Sequence, residues 1–242
     1  MPAPEVGEPG PRPGRWWVRA ALALAVAGLI AALVELSTEK AGRSLIEVSG
    51  IGDAQRIFGG APQEGDLLGD GDAPVTVYLF DDVQCLDCAE HFAETVPPLV
   101  EELVRRDEAK LSYRHYSFSS LPEELGFFGV EAAGEQGYAW QYAYLFFRSQ
   151  EEAERRGVDE DFLRSIAGAI PELEVAEWLS DYEDGLERDS AVRRRLAADE
   201  ELASQLEIRA EPAVYVEGPS GDRLLQDSPS AARIESAVEA VR

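Results

Sequence analysis

The fourteen residues from Val75 to Cys88, VTVYLFDDVQCLDC, constrain this chain more than any other stretch. Val75 to Phe80 is β-branched, aromatic and apolar throughout, which reads as a short buried strand. Asp81 to Gln84 make a loop. From about Cys85 to Arg106 the pattern turns helical, with Phe92, Val96, Val100 and Leu103 recurring on one apolar face. Pro97 and Pro98 fall inside that helix and are expected to kink it. Two cysteines at C-x-x-C spacing therefore stand at a strand-to-helix junction, and they are the only cysteines in 242 residues.

That position has chemical consequences. Unpaired N–H groups and the helix dipole favour a thiolate at Cys85. Cys88 lies one turn on and can resolve a mixed disulfide. Other uses of the pair fit less well. A disulfide closing so short a loop restrains little, about 2 kcal/mol against about 4.7 for a long loop. A zinc site wants four ligands. His91 and His115 are the only histidines, so a metal site built on Cys85, Cys88 and His91 stays open as an alternative. Haem attachment requires a histidine directly after the second cysteine, and Ala89 stands there.

The rest of the chain frames this unit. Arg56–Gly59 reads as a short first strand and Leu111–Phe118 as the strand after the cysteine helix. Residues 121–207 are mostly helical, with helices near Val130–Ser149, Asp159–Ile170, Pro171–Gly185 and Ser190–Leu206. Pro171 suits a first helical position. Trp140 and Tyr142 read as core residues, and Arg193-Arg194-Arg195 as a solvated helix face. Ala213–Glu217 and Arg223–Leu225 read as a hairpin about the turn Gly218–Gly221, with a last helix near Ser230–Val241. The order is strand, helix, strand, helical block, strand, strand, helix. Without the block, a βαβ unit followed by ββα remains, which is the thioredoxin order.

Ahead of this domain, residues 1–15 are Pro- and Gly-rich and read as a disordered tail. Residues 16–36 combine Trp16 and Trp17 with an uncharged run to Val34, long enough for a spanning helix with an aromatic belt. Arg12, Arg15 and Arg19 put the N-terminus in the cytoplasm and the remainder outside. The segment reads as a retained anchor; a cleaved signal peptide is the competing reading, but no clean small-residue cleavage site follows the apolar run. Residues 37–55 read as a tether. Either reading exports the domain, where disulfide chemistry is sustained. The 47 acidic and 22 basic residues give a net charge of −25, which repels phosphates and argues against nucleic-acid binding.

The segment LLGDGDAPVTVYLFDDVQCLDCAEHF resembles the DsbA-type thioredoxin family, whose pattern is matched by Gly69, Asp70, Ala73, Pro74, Phe80, Asp82, Gln84, Cys85, Cys88 and Phe92. Gln136, Gly137, Trp140, Tyr142 and Phe146 resemble the first helix of that family's inserted domain. Glu211-Pro212-Ala213-Val214-Tyr215-Val216 resembles the segment that holds its cis-proline. The resemblance covers residues 56–242. It implies an α/β thioredoxin fold with an inserted all-helical domain, here preceded by a single N-terminal transmembrane helix. It further implies an exported protein disulfide oxidoreductase acting on thiols and disulfides of other proteins. Cys85 would be the exposed redox cysteine, Cys88 the resolving one and Pro212 the cis residue shaping the groove. No cofactor or metal is implied. Oxidases of this class are normally reoxidised by a membrane partner of the DsbB or VKOR type.

The chain departs from that pattern in three places. Leu86-Asp87 separates the cysteines where strong oxidases carry Pro-His, and a carboxylate there disfavours the thiolate by about 1 kcal/mol; Asp81, Asp82 and Glu90 push the same way. Glu211 replaces the usual Thr or Val before the proline. Leu79 stands six residues before Cys85, where many relatives have a buried acid that moves the inner thiol's proton. The expectation is a weaker oxidant than the strong members. A metal-binding chaperone and a redox-inert binding module of the same fold are the alternatives, separable by stoichiometric copper binding and by the reactivity of Cys85.

Overall fold

The computed structural model describes residues 45–117 and 125–242. The expected tail and anchor lie outside the described residues. Among the described residues no helix is long and apolar enough to cross a membrane.

The sheet has six strands: β1 (Gln63–Glu64), β2 (Leu67–Leu68), β3 (Val75–Asp81), β4 (Ala109–His115), β5 (Ala213–Gly218) and β6 (Gly221–Leu225), in the order β1-β2-β4-β3-β5-β6. β3 and β4 run parallel, with Val77 opposite Leu111 and Asp81 opposite His115. β5 lies antiparallel to β3, and β6 closes the hairpin onto β5. The parallel pair needs a crossover, supplied by α2 (Leu86–Glu102) and a 3-10 turn at Val104–Arg106.

Period-2 alternation divides β3 between two cores. Val75, Val77 and Leu79 enter the main core, while Phe80 joins a smaller cluster with Ala203, Ile208 and Ala213 on the other face. Phe92, Val96, Val100 and Leu103 of the crossover are all buried, each worth roughly 1.5–3 kcal/mol. α2 runs unbroken through Pro97 and Pro98, and α9 (Ala231–Val241) packs beside it on the sheet.

Between β4 and β5 come α3 (Leu125–Gly134), α4 (Ala139–Arg148), α5 (Gln150–Arg156), α6 (Glu160–Ala169), α7 (Val175–Leu186) and α8 (Ala191–Gln205). Trp140 and Tyr142 are core residues as expected, at 1% and 0% exposure. The single helix expected over Val130–Ser149 is two, because Gly137 adopts φ 78°, a conformation favoured by glycine. The helix expected from Pro171 begins at Val175. The Gln136 amide reaches that start, donating to Glu174 O (3.1 Å) and accepting from Glu174 N (2.8 Å).

Three further expectations are corrected. Arg56–Gly59 is not a strand: α1 (Ile51–Phe58) occupies it, burying Ala54, Ile57 and Phe58. The end of the expected tether is also packed, since Ile46, Val48 and Ile51 lie on the core and Ile46 N donates to Ser165 Oγ at 3.1 Å. Arg195 is not on a solvated face. It pairs with Asp66 at 3.0 Å and Glu131 at 2.9 Å, both buried carboxylates.

Candidate active site

β3 delivers the chain to the cysteine pair. It ends at Asp81, the loop turns through Asp82–Gln84, and Cys85 caps α2 in an extended conformation. The turn is closed by Gln84 N to Asp82 Oδ1 (2.8 Å) and Cys85 N to Asp82 O (2.9 Å). The helical insert grips it from outside. Gln150 Nε2 donates to Val83 O (2.6 Å) and Cys85 O (2.9 Å), and Gly126 N donates to Gln84 Oε1 (3.1 Å). Nothing in the pattern around Gln150 marked it, because its partners are backbone carbonyls more than sixty residues away.

The two thiols are free and unlike. Cys85 is half-buried, and its Sγ accepts the Cys88 N–H at 3.3 Å. The Cys88 thiol donating to Cys85 lowers the Cys85 pKa; burial opposes this, the Cys88 N–H adds to it, and Glu211 and Asp82 push the other way. The net direction is downward, so Cys85 is the more acidic thiol of the pair. Cys88 is fully buried. The Cys85 sulfur beside it, burial and the Asp81 charge all push its pKa up. A nucleophile at the surface with a protonated thiol behind it is the arrangement that thiol–disulfide exchange requires.

The carboxylates acting on Cys85 are Glu211 and Asp82, whereas Asp87 is exposed. Leu86, next to Cys85 in sequence, is also exposed, at 53%. The Glu211–Pro212 peptide bond is cis, and Glu211 acts on Tyr116 as well as on Cys85.

The absence of a buried acid, inferred from Leu79, is overturned. Leu79 and Asp81 share one face of β3, and Asp81 is fully buried two residues nearer the cysteines. The Cys88 thiol and this carboxyl act on each other's proton affinity. Burial pushes the Asp81 pKa well above the ordinary carboxylate value of 3.8, with Cys85, Asp82 and Glu211 adding to the rise. Asp81 was read as a loop charge because only the fold shows that β3 extends through it.

His91, on α2, is buried, with Nε2 3.0 Å from Pro229 O and Nδ1 3.9 Å from Asp81 Oδ1. His115 is buried against Phe127, ring centroids 4.7 Å apart. Among the described residues no group of three or more His, Cys, Asp or Glu side chains is placed to hold a metal ion.

Fold and site together define a thioredoxin-class protein with a helical insert. The chain matches the family model described as Thioredoxin over residues 63–240 and belongs to that family. It is similar to a probable disulfide bond formation protein D of Bacillus cereus, 27% identical over 158 residues that span 62% of this chain and 69% of the relative. It is 24% identical to disulfide bond formation protein D of Bacillus subtilis, over 62% of this chain and 66% of that protein. Among solved structures, oxidised BdbD from Bacillus subtilis superposes with a TM-score of 0.60 at 20% identity, covering 74% of this chain and 95% of that one. Pseudomonas aeruginosa DsbA2 gives 0.55 at 21% identity, covering 76% and 97%.

Proposed function

We propose that this protein disulfide oxidoreductase works outside the cytoplasm, exchanging a Cys85–Cys88 disulfide with cysteines of partner proteins. The supporting observation is the asymmetry of the pair: Cys85 half-exposed with a lowered pKa, Cys88 buried with a raised one. Cys85 forms the mixed disulfide with the partner and Cys88 releases it. Pro212 lines the groove beside Cys85. Asp81 is the carboxyl next to the inner thiol and serves as its proton acceptor. The Cys85–Cys88 chemistry requires no cofactor.

The domain is held at the membrane by the N-terminal segment 16–36, with residue 1 in the cytoplasm, and a DsbB- or VKOR-type membrane protein resets its redox state. It is a weaker oxidant than the strong DsbA-type enzymes. Glu211 and Asp82 stand against the Cys85 thiolate, and a less stable thiolate makes a less oxidising disulfide.

The test is the reduction potential of the full chain, equilibrated in glutathione buffers. A value well below about −120 mV and above about −270 mV is expected. A value near −120 mV would overturn the weak-oxidant reading, and no thiol–disulfide equilibrium at all would overturn the activity.

A further inference from the structure

Two buried polar groups face each other behind the redox pair. No N–H or O–H donor reaches either carboxyl oxygen of Asp81, and the Nδ1 of His91 has no hydrogen-bond partner. Both residues are almost wholly shielded from solvent, at 0% and 5% exposure. A buried polar atom without a partner costs roughly 1–3 kcal/mol and calls for a reason.

The hydrogen bond on the far side of the ring supplies one. Pro229 O can only accept, so Nε2 of His91 carries the proton in that 3.0 Å bond. The neutral imidazole is therefore the tautomer with a bare lone pair at Nδ1. That lone pair lies 3.9 Å from Asp81 Oδ1, and Asp81 and the Cys88 thiol in turn act on each other's proton affinity. The separation is too long for a direct hydrogen bond, but a shift of about 1 Å closes it. The charged and titratable groups around the pair are Asp82 and Cys85 from the loop, Cys88 and Glu94 from α2, Tyr113 from β4 and Glu211 ahead of β5. Among the described residues, His91 and His115, the register partner of Asp81 on β4, are the basic side chains of this group, and it is His91 whose bare nitrogen faces Asp81.

We propose that His91 is a positioning residue for the proton of the resolving step, holding Asp81 and receiving through it the proton that Cys88 gives up. This rests on the thiol–disulfide reading above. In the step, the Cys88 thiol passes its proton to the Asp81 carboxylate as its sulfur attacks Cys85. The Cys88–Cys85 bond forms, the bond between Cys85 and the partner breaks, and the partner leaves as a thiolate. Cys88 is oxidised and the partner sulfur reduced. Asp81 then shares its proton with His91 Nδ1, leaving a carboxylate–imidazolium pair in place of a neutral acid, while Nε2–H stays on Pro229 O.

The test uses the full chain carrying glutathione on Cys85, with release of glutathione timed from about pH 5 to pH 9. His91→Gln is the informative variant, because its amide can replace Nε2–H on Pro229 O while offering no base at Nδ1. Release near pH 7 is expected to fall roughly tenfold to a hundredfold, to rise with hydroxide instead of following the wild-type profile, and to fall no further in combination with Asp81→Asn. A wild-type pH profile in His91→Gln, or additive losses in the double variant, would overturn the role of His91. Should that variant not fold, imidazole nitrogen NMR of the wild type decides: a proton on Nδ1 rather than Nε2 at neutral pH overturns it equally. A wild type that never releases glutathione sinks the oxidoreductase reading and this proposal together; release untouched by His91→Gln sinks only the latter.

Discussion

Gln150 and Cys85 are joined directly, the Gln150 amide donating to the Cys85 carbonyl at 2.9 Å and to Val83 O at 2.6 Å. One buried side chain of the helical insert thus holds both ends of the turn that presents the thiols. Gln150→Leu removes both donors at similar size. A loss of roughly 1–3 kcal/mol is expected in urea unfolding, together with faster alkylation of Cys85 as the turn loosens. Unchanged stability would mean that the Asp82 turn holds itself.

The lowered pKa of Cys85 predicts alkylation by iodoacetamide with its midpoint below that of an ordinary thiol. Glu211 pushes the other way, so Glu211→Gln is expected to move the midpoint further down and make the disulfide more oxidising. Asp87→His is expected to have the smaller effect, because Asp87 is exposed. Equal shifts in the two variants would assign the charge effect to the wrong carboxylate.

Asp81 carries a stability signature with a definite sign. Its pKa is raised on folding from 3.8, so the folded state holds the proton more tightly than the unfolded chain. The stability linked to it is full below that ordinary value and is lost as pH rises through the folded pKa. Asp81→Asn removes the ionisation. It is expected to be more stable than the wild type at about pH 8, by about 1.4 kcal/mol for each unit of the rise, and slower in resolving a mixed disulfide. Denaturant unfolding at about pH 4 and pH 8 measures the first, and a wild type that gains stability from Asp81 with rising pH would contradict it.

Gly126 lies where α3 crosses the redox turn. A Cβ there would stand 2.6 Å from Val83 Cγ2 and 3.0 Å from Phe146 Cε2. Gly126→Ala is expected to destabilise by about 1–3 kcal/mol through overpacking and to displace Val83. Thermal unfolding checks the first, and the reactivity of Cys85 checks the second.

Local patterns made much of the architecture readable. The apolar run Val75–Phe80, the face Phe92–Val96–Val100–Leu103 and the hairpin turn at Gly218–Gly221 all depend on residues close in sequence, and all recur in the structure. The misreadings have local causes too. Arg56–Gly59 gave too short a window to separate a strand from a helix end. The period across Val130–Ser149 hid the break at Gly137, where one residue's φ reverses. Arg195 sits in a run of three arginines and reads as solvated until the fold brings Asp66 and Glu131 to it.

By itself the sequence determined the C-x-x-C pair, its place at a helix N-terminus and the order of elements around it, because strand, loop, helix and C-x-x-C are set by neighbours along the chain. Tertiary structure decided how that pair is tuned. Asp81 becomes a buried acid only when β3 extends past Phe80 and the core closes over it. Gln150 becomes a clamp only when the insert folds back across sixty-five residues to Cys85. Glu211 acts on Cys85 only because β5 pairs with β3. Burial and charge act through space, and their partners here are far apart in sequence.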